Sequence, residues 1–168
     1  MEAAACFPTM PIEIRKMRPE DLEAAMGILR VWNMAPTAPS PDHPDPERTE
    51  LAVDRTFVAL DGDRVVGVES YLMRSAEVAE TASLAVDPSY RGRNVGYRLQ
   101  EARLGEMVAR GVRQVHTEAD RPETVAWYVG KFGYRVVGTN PKKHAFSLPD
   151  VDHWTVLHLD LTSWMPRS

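Results

Sequence analysis

One stretch of this chain concentrates residues suited to holding a small anion: Ser83-Leu84-Ala85-Val86-Asp87-Pro88-Ser89-Tyr90-Arg91-Gly92-Arg93-Asn94-Val95-Gly96-Tyr97. The run 83–86 reads as a buried strand, Asp87-Pro88 stops it, and the spacing after Asn94 reads as a long helix. The first turn of a helix has N–H groups without intrahelical partners and a partial positive charge. Glycines let that backbone approach a ligand closely, and Arg91, Arg93 and Arg98 add charge. Amides of residues 91–96 at such a helix start suit a pyrophosphate. A helix end contributes only about 0.3–1 kcal/mol per charge, so converging amides and guanidiniums matter more than the dipole. The same residues also read as a glycine-softened turn with solvated arginines.

Other phosphate motifs fail. Gly-Lys-Ser/Thr is missing, as is a full Gly-x-Gly-x-x-Gly after the strand. The histidines offer no metal spacing: His153 and His158 fall on opposite faces of a strand, and His43 lies in a proline-rich stretch. The one cysteine, Cys6, excludes a disulfide framework and a thiolate zinc cluster. No metal is expected.

These residues must be positioned by a sheet with helices on it. Ile12 and Ile14 alternate with polar neighbours as a first strand, and Arg18-Pro19-Glu20-Asp21 opens a helix carrying Leu22, Ala25, Met26 and Leu29. A hairpin follows, Thr56–Leu60 and Val65 onward, joined by Asp61-Gly62-Asp63. A strand ending at Val86 precedes the helix 94–110, whose apolar row is Val95, Leu99, Ala102, Leu104, Met107 and Val108, stopped by Gly111. Strands at 112–117, 134–138 and 154–161 and a helix at 122–131 complete the order. Five prolines in residues 35–49 exclude regular structure there, leaving a loop or a stiff lid over a cleft.

The chain of 168 residues is one domain by length, with 43% apolar and 26% charged residues. A formal charge of -4 argues against a broad basic face for nucleic acid and against a polybasic membrane anchor. The start lacks Lys and Arg before residue 15, no window approaches the ~18 apolar residues of a span, and a cytoplasmic location is expected.

Arg91-Gly92-Arg93-Asn94-Val95-Gly96 resembles the Arg/Gln-x-x-Gly-x-Gly/Ala signature of the GNAT superfamily of acyl-CoA-dependent N-acyltransferases. Asn94 stands where the family usually has glycine, and asparagine tolerates positive φ better than most residues. Ser83–Pro88 resembles the family's fourth strand. Ala126-Trp127-Tyr128-Val129-Gly130-Lys131-Phe132-Gly133-Tyr134 resembles its Ala-x-Tyr-x-x-x-Gly-Phe helix end. The resemblance spans residues 12–161 and is best over 80–138. It implies an α/β (α+β) fold: a mixed, mostly antiparallel sheet of six to seven strands flanked by about four helices. Residues 11–164 would form that domain, after a disordered tail 1–10.

The resemblance implies acetyl-CoA as co-substrate and a primary amine of a small molecule, peptide or protein as acceptor. A homodimer stays open. The pantetheine arm would pair with the backbone of Leu84, Ala85 and Val86. The pyrophosphate would sit on Arg91, Gly92, Arg93, Asn94, Val95 and Gly96, with Tyr97 beside it. Tyr128 matches the family's general-acid tyrosine; by its residues alone it is an aromatic packed at a helix end. The base is Glu80, expected on the same face as Leu84, or His116, or a water. Glu118 shares that face. Arg121 stands where many members carry a cofactor-contacting asparagine and Thr124 replaces a frequent alanine; Arg121 would instead meet a cofactor phosphate or stand in solvent. Lys142-Lys143-His144 reads as a solvated basic cluster bordering the acceptor side, with Trp32 and Met34 on the opposite wall. Two other readings stand beside acetyl transfer: a non-catalytic acyl-CoA-binding or regulatory module, and an acyl donor longer than acetyl.

Overall fold

Four strands form an antiparallel meander: β1 (Glu13–Lys16), β2 (Thr56–Asp61), β3 (Arg64–Met73) and β4 (Val78–Val86). The computed structural model describes residues 11–36, 51–142 and 147–164. The tail, most of the proline loop and Lys143-His144 lie outside them. The turn between β2 and β3 is Gly62-Asp63, with Gly62 at φ 63°, the left-handed conformation that tight hairpins require.

Helix α2 (Val95–Ala109) then crosses over and returns the chain as β5 (Gln114–Ala119), parallel to β4. After α3 (Pro122–Phe132) come β6 (Arg135–Pro141) and β7 (His153–Asp160), and the sheet order is β1-β2-β3-β4-β5-β7-β6. Seven strands with one parallel pair fulfil the expected mixed sheet. Three α-helices rather than four are found among the described residues: α1 (Leu22–Val31), α2 and α3. Proline and acids at Pro19–Asp21 make a separate 3-10 turn before α1. No described helix is long and apolar enough to cross a membrane.

Helix α1 packs on one face of the sheet through Ala25, Ile28 and Leu29 against Val58, Leu60, Val68 and Ala85. The opposite face carries α2 and α3, with Leu104, Met107, Tyr128 and Phe132 against Tyr71, Val115 and Leu157. The buried stripe of α2 departs from the apolar row read in the sequence. Gln100 and Arg103 are fully buried in it, while Val108 is 50% exposed.

Two irregularities shape the site. Strands β4 and β5 pair only over Val78–Glu80 and Gln114–His116, and the hydroxyls of Thr81 and Thr117 meet at 2.8 Å. Beyond that point the strands diverge. In addition, Ser70 opposes Ser83 while Tyr71 opposes Thr81, so Ala82 is an extra residue, a bulge in β4. One extra residue reverses the parity of everything after it. Ala79 belongs to the α2–α3 core, so Glu80 points to the α1 face; Leu84 packs against Val95 and Leu99 of α2. Glu80 and Leu84 therefore face opposite sides of the sheet, which corrects the expectation that they share one.

Candidate active site

The splayed end of β4 and the start of α2 form one junction. The Asp87 carboxylate accepts from the Ser89 amide at 2.9 Å and the Ser89 hydroxyl at 2.8 Å, which holds the chain in a tight turn after β4. These bonds keep the carboxyl below its usual range, with the Arg64 guanidinium adding to them. Gly92 follows at φ 77° and Asn94 at φ 63°. Asn94 thus occupies a left-handed position that asparagine accepts, the feature its departure from glycine left to be explained.

Two glycines set the helix against the strand. A Cβ on Gly67 of β3 would lie 2.9 Å from Leu99 Cδ1 and 3.2 Å from Val95 Cγ1, so a side chain there would have to push the α2 side chains aside. Gly96 is different: a Cβ there would meet nothing nearer than Val86 Cγ2 at 3.7 Å. Packing does not demand glycine at 96, whereas a ligand on the helix end would.

The Asp87 amide donates to Val66 O on β3 at 2.8 Å. Backbone groups alternate sides along a strand, so those of Leu84 and Val86 face away from β3, into the gap beside β5. The Val86 carbonyl is already held there by Trp32 Nε1, which donates at 2.9 Å.

A cleft of about 640 Å³ fills this gap. Leu84, Ala85, Val86, Arg91, Gly92, Asn94, Val95, Gly96 and Tyr97 all line it, and so does Tyr128 from α3. Arg93 does not; its guanidinium lies over the Tyr90 ring, 4.9 Å from the centroid. Arg98 turns away as well and donates to Ile12 O at 2.5 Å. The charge at the cleft comes instead from Arg91 and Arg121, whose guanidiniums lie 5.6 and 5.4 Å from the Trp32 ring centroid. Of the two places open to Arg121, solvent or the cofactor side, it takes a position lining the cleft. The aromatic face that gathers it belongs to Trp32, just past the end of α1, which sequence adjacency does not reveal.

Tyr128 is buried, packed edge-on to Trp127 with ring centroids 5.1 Å apart. Its Oη accepts from Arg103 Nη2 at 3.3 Å.

The candidate bases gather on the α1 face. One ligand-type atom each from Glu80, His116 and Glu118 lie within 4.8 Å of one another. Glu80 is paired with Arg74. His116 Nε2 is 3.3 Å from Glu118 Oε1, which also accepts from Asn140 Nδ2 at 3.1 Å. The Glu118 contact raises the His116 pKa above its usual value; burial opposes this and the Glu80 charge adds to it. Of the three, only Glu118 lines the cleft, so Glu80 and His116 stand behind it.

Asp120 directly follows β5 and fastens the far wall. Its carboxylate accepts from Lys142 Nζ at 2.7 Å, Leu148 N at 2.8 Å and Ser147 Oγ at 2.9 Å. Ser147 and Trp154 of that wall line the cleft. The sequence reading placed Lys142 in a solvated cluster; its side chain is buried on Asp120 and over the Trp154 ring at 4.4 Å.

A splayed parallel strand pair, a bulge, and a glycine-rich helix start facing one cleft define an acyltransferase-type architecture. The chain matches the family described as "Acetyltransferase (GNAT) family" over residues 25–134, and it belongs to that family. No curated protein matches it. Among solved structures it is similar to Ard1 from Thermoplasma volcanium, with 19% identity, a TM-score of 0.68, and coverage of 88% of this chain and 96% of that one. The ribosomal-protein-S18-alanine N-acetyltransferase from Escherichia coli is similar at 18% identity and TM-score 0.68, covering 90% and 94%. Rv2747 from Mycobacterium tuberculosis, solved in complex with CoA, is similar at 20% identity and TM-score 0.59, covering 77% and 75%.

Proposed function

We propose that this protein transfers an acetyl group from acetyl-CoA to a primary amine by direct attack in a ternary complex. The observation that carries this reading is that the outer end of β4, the α2 start and Tyr128 all line one cleft. The pantetheine arm would extend β4 by pairing with Leu84 and Val86, whose backbone groups face the gap. The diphosphate would sit on the α2 amides, over Gly96, with Arg91 and Arg121 beside it. The amine nitrogen attacks the thioester carbonyl carbon, the C–S bond breaks, and the thiolate takes the Tyr128 proton. A backbone N–H near Leu84 meets the developing oxyanion. The attacking amine loses its own proton to His116 or Glu80, through water or by way of Glu118.

The test is direct. Acetyl-CoA at millimolar concentration should raise the melting temperature, and a panel of amines and peptides should include one that releases free CoA thiol. No thermal shift removes the reading; a shift without thiol release across the panel leaves an acyl-CoA-binding module.

The base has its own signature in pH. Because the folded-state pKa of His116 is raised, its protonated form persists above the ordinary ~6.5 and the neutral, proton-accepting form appears only above that. With His116 as base, kcat/KM rises with pH along a limb whose midpoint lies above ~6.5. His116→Gln should abolish that limb. An unchanged limb in the variant assigns the proton to Glu80 or to water.

A further inference from the structure

Behind Tyr128, between α2 and the sheet, Arg103 has no solvent exposure at all. Its Nη1 donates to Ser70 O and to Ser83 O, each at 2.9 Å. Those two carbonyls flank the Ala82 bulge. Its Nη2 donates to Tyr128 Oη at 3.3 Å and its Nε to Gln100 Oε1 at 2.9 Å. Gln100 Nε2 in turn donates to Tyr134 Oη at 2.9 Å. Glu69 supplies the counter-charge, its Oε2 3.2 Å from Arg103 Nε, yet neither Glu69 oxygen has a hydrogen-bond partner among the described residues. Burial pushes the Glu69 carboxyl well above its usual range, and the Arg103 charge pulls against that.

Packing does not explain this pair. The neighbours of Arg103 on the α2 stripe include Leu99, Leu104 and Met107, and an apolar side chain would fill the place without desolvating an ion. Apolar replacement of buried ion pairs is often neutral or stabilising. What an apolar residue lacks is the five-donor planar fork that reaches the bulge and the phenol at once.

We propose that Arg103 is a positioning residue for acyl transfer, aiming the Tyr128 hydroxyl proton into the cleft and holding the bulged β4 backbone against it. The proposal rests on the reading of Tyr128 as the general acid. A guanidinium only donates, so the phenol lone pair facing α2 is taken and the O–H turns towards the open side, the cleft. Giving that proton to the thiolate has a cost, because negative charge is left on the phenol oxygen. A cation beside the phenolate oxygen, in a water-excluded site, offsets that cost where the charge develops. The same side chain fixes Ser83, the residue before Leu84, so acid and oxyanion donor are set by one rigid group.

The experiment measures kcat, KM and calorimetric acetyl-CoA affinity on the full chain. The variants are Arg103→Lys and the apolar double variant Glu69→Leu/Arg103→Met, which leaves no buried charge unpaired. Each is made with Tyr128 present and in a Tyr128→Phe background. The expected result is a fall in kcat of about 10- to 100-fold with acetyl-CoA affinity held. In the Tyr128→Phe background the same changes cost clearly less, because the share that acts through the Tyr128 proton is already lost and only the share through the β4 backbone remains. Equal losses in both backgrounds, or a loss carried by KM, overturn the proposal. A wild-type protein that binds acetyl-CoA but releases no thiol defeats the transfer reading instead. The contact is then read by 19F NMR of fluorotyrosine-labelled protein, with the Tyr128 resonance assigned by its loss in Tyr128→Phe. Arg103→Lys moves that resonance if the guanidinium holds the hydroxyl, and an unmoved resonance overturns the proposal without any turnover.

Discussion

Tyr128→Phe is expected to lower kcat for acetyl transfer by about 10²- to 10⁴-fold, the usual share of a positioned general acid. Acetyl-CoA affinity should hold, because what changes is one hydroxyl and not the ring. The ring is fixed by Trp127 at 5.1 Å and Tyr134 at 5.0 Å between centroids, contacts that phenylalanine keeps. The substitution also removes the acceptor for Arg103 Nη2, but Nη1 keeps two carbonyls and Nε keeps Gln100. The stability loss should therefore stay near the ~1 kcal/mol of one hydrogen bond. This separation makes the variant informative. A fall in kcat with melting temperature and affinity nearly intact points to a proton that is no longer delivered to the thiolate. Wild-type turnover across the neutral to alkaline range would leave Tyr128 as a packing residue, and the proton would have to reach sulfur through water.

Much of the architecture was legible where local chemistry is decisive. The Gly62-Asp63 hairpin and the glycine stops at Gly111 (φ 84°) and Gly133 (φ 77°) each rest on a positive φ that the residue type announces. Asn94 belongs with them. The Ala82 bulge was hidden because one inserted residue leaves no mark on an apolar run, yet it moved Glu80 to the face opposite Leu84. Arg103 was hidden for another reason. Arginine is almost never fully buried unless paired, so a helix reading assigns it to solvent. Its partners, Glu69 and the carbonyls of Ser70 and Ser83, lie on other elements. Arg121 and Trp32 meet across the cleft in the same non-local way. Local rules locate the anion site; long-range packing decides which arginines serve it.

The Asp120 anchor shows how that packing reaches function, and it carries the second large effect. Asp120 and Lys142 have side chains only 3% and 6% exposed. Asp120→Ala leaves a buried ammonium without its counter-ion, a change that costs about 3–5 kcal/mol in such pairs. Lys142 would retain Leu148 O, at 2.6 Å, and the Trp154 ring. The loss should be felt first in the wall itself, since the Leu148 amide and Ser147 hydroxyl also lose their acceptor. Ser147 is tied onward to Asn33 O by its amide, at 2.8 Å, next to Trp32. Loosening it should open both sides of the cleft, so hydrogen exchange at Ser147 and Leu148 should rise and the acceptor KM with it. The pH dependence has a defined sign. Burial alone would raise the Asp120 pKa, but Lys142, the Leu148 amide and the Ser147 hydroxyl outweigh it and hold the pKa below the ordinary value. That stabilisation is present above the unfolded carboxylate pKa of ~3.9 and is lost as pH falls through the lower folded value. Melting temperatures followed into acid should therefore drop more steeply for the wild type than for Asp120→Asn, which has no charge to lose. Parallel curves would mean that the anchor holds by shape and hydrogen bonds alone, and the hairpin wall would then keep its grip on the cleft at any pH.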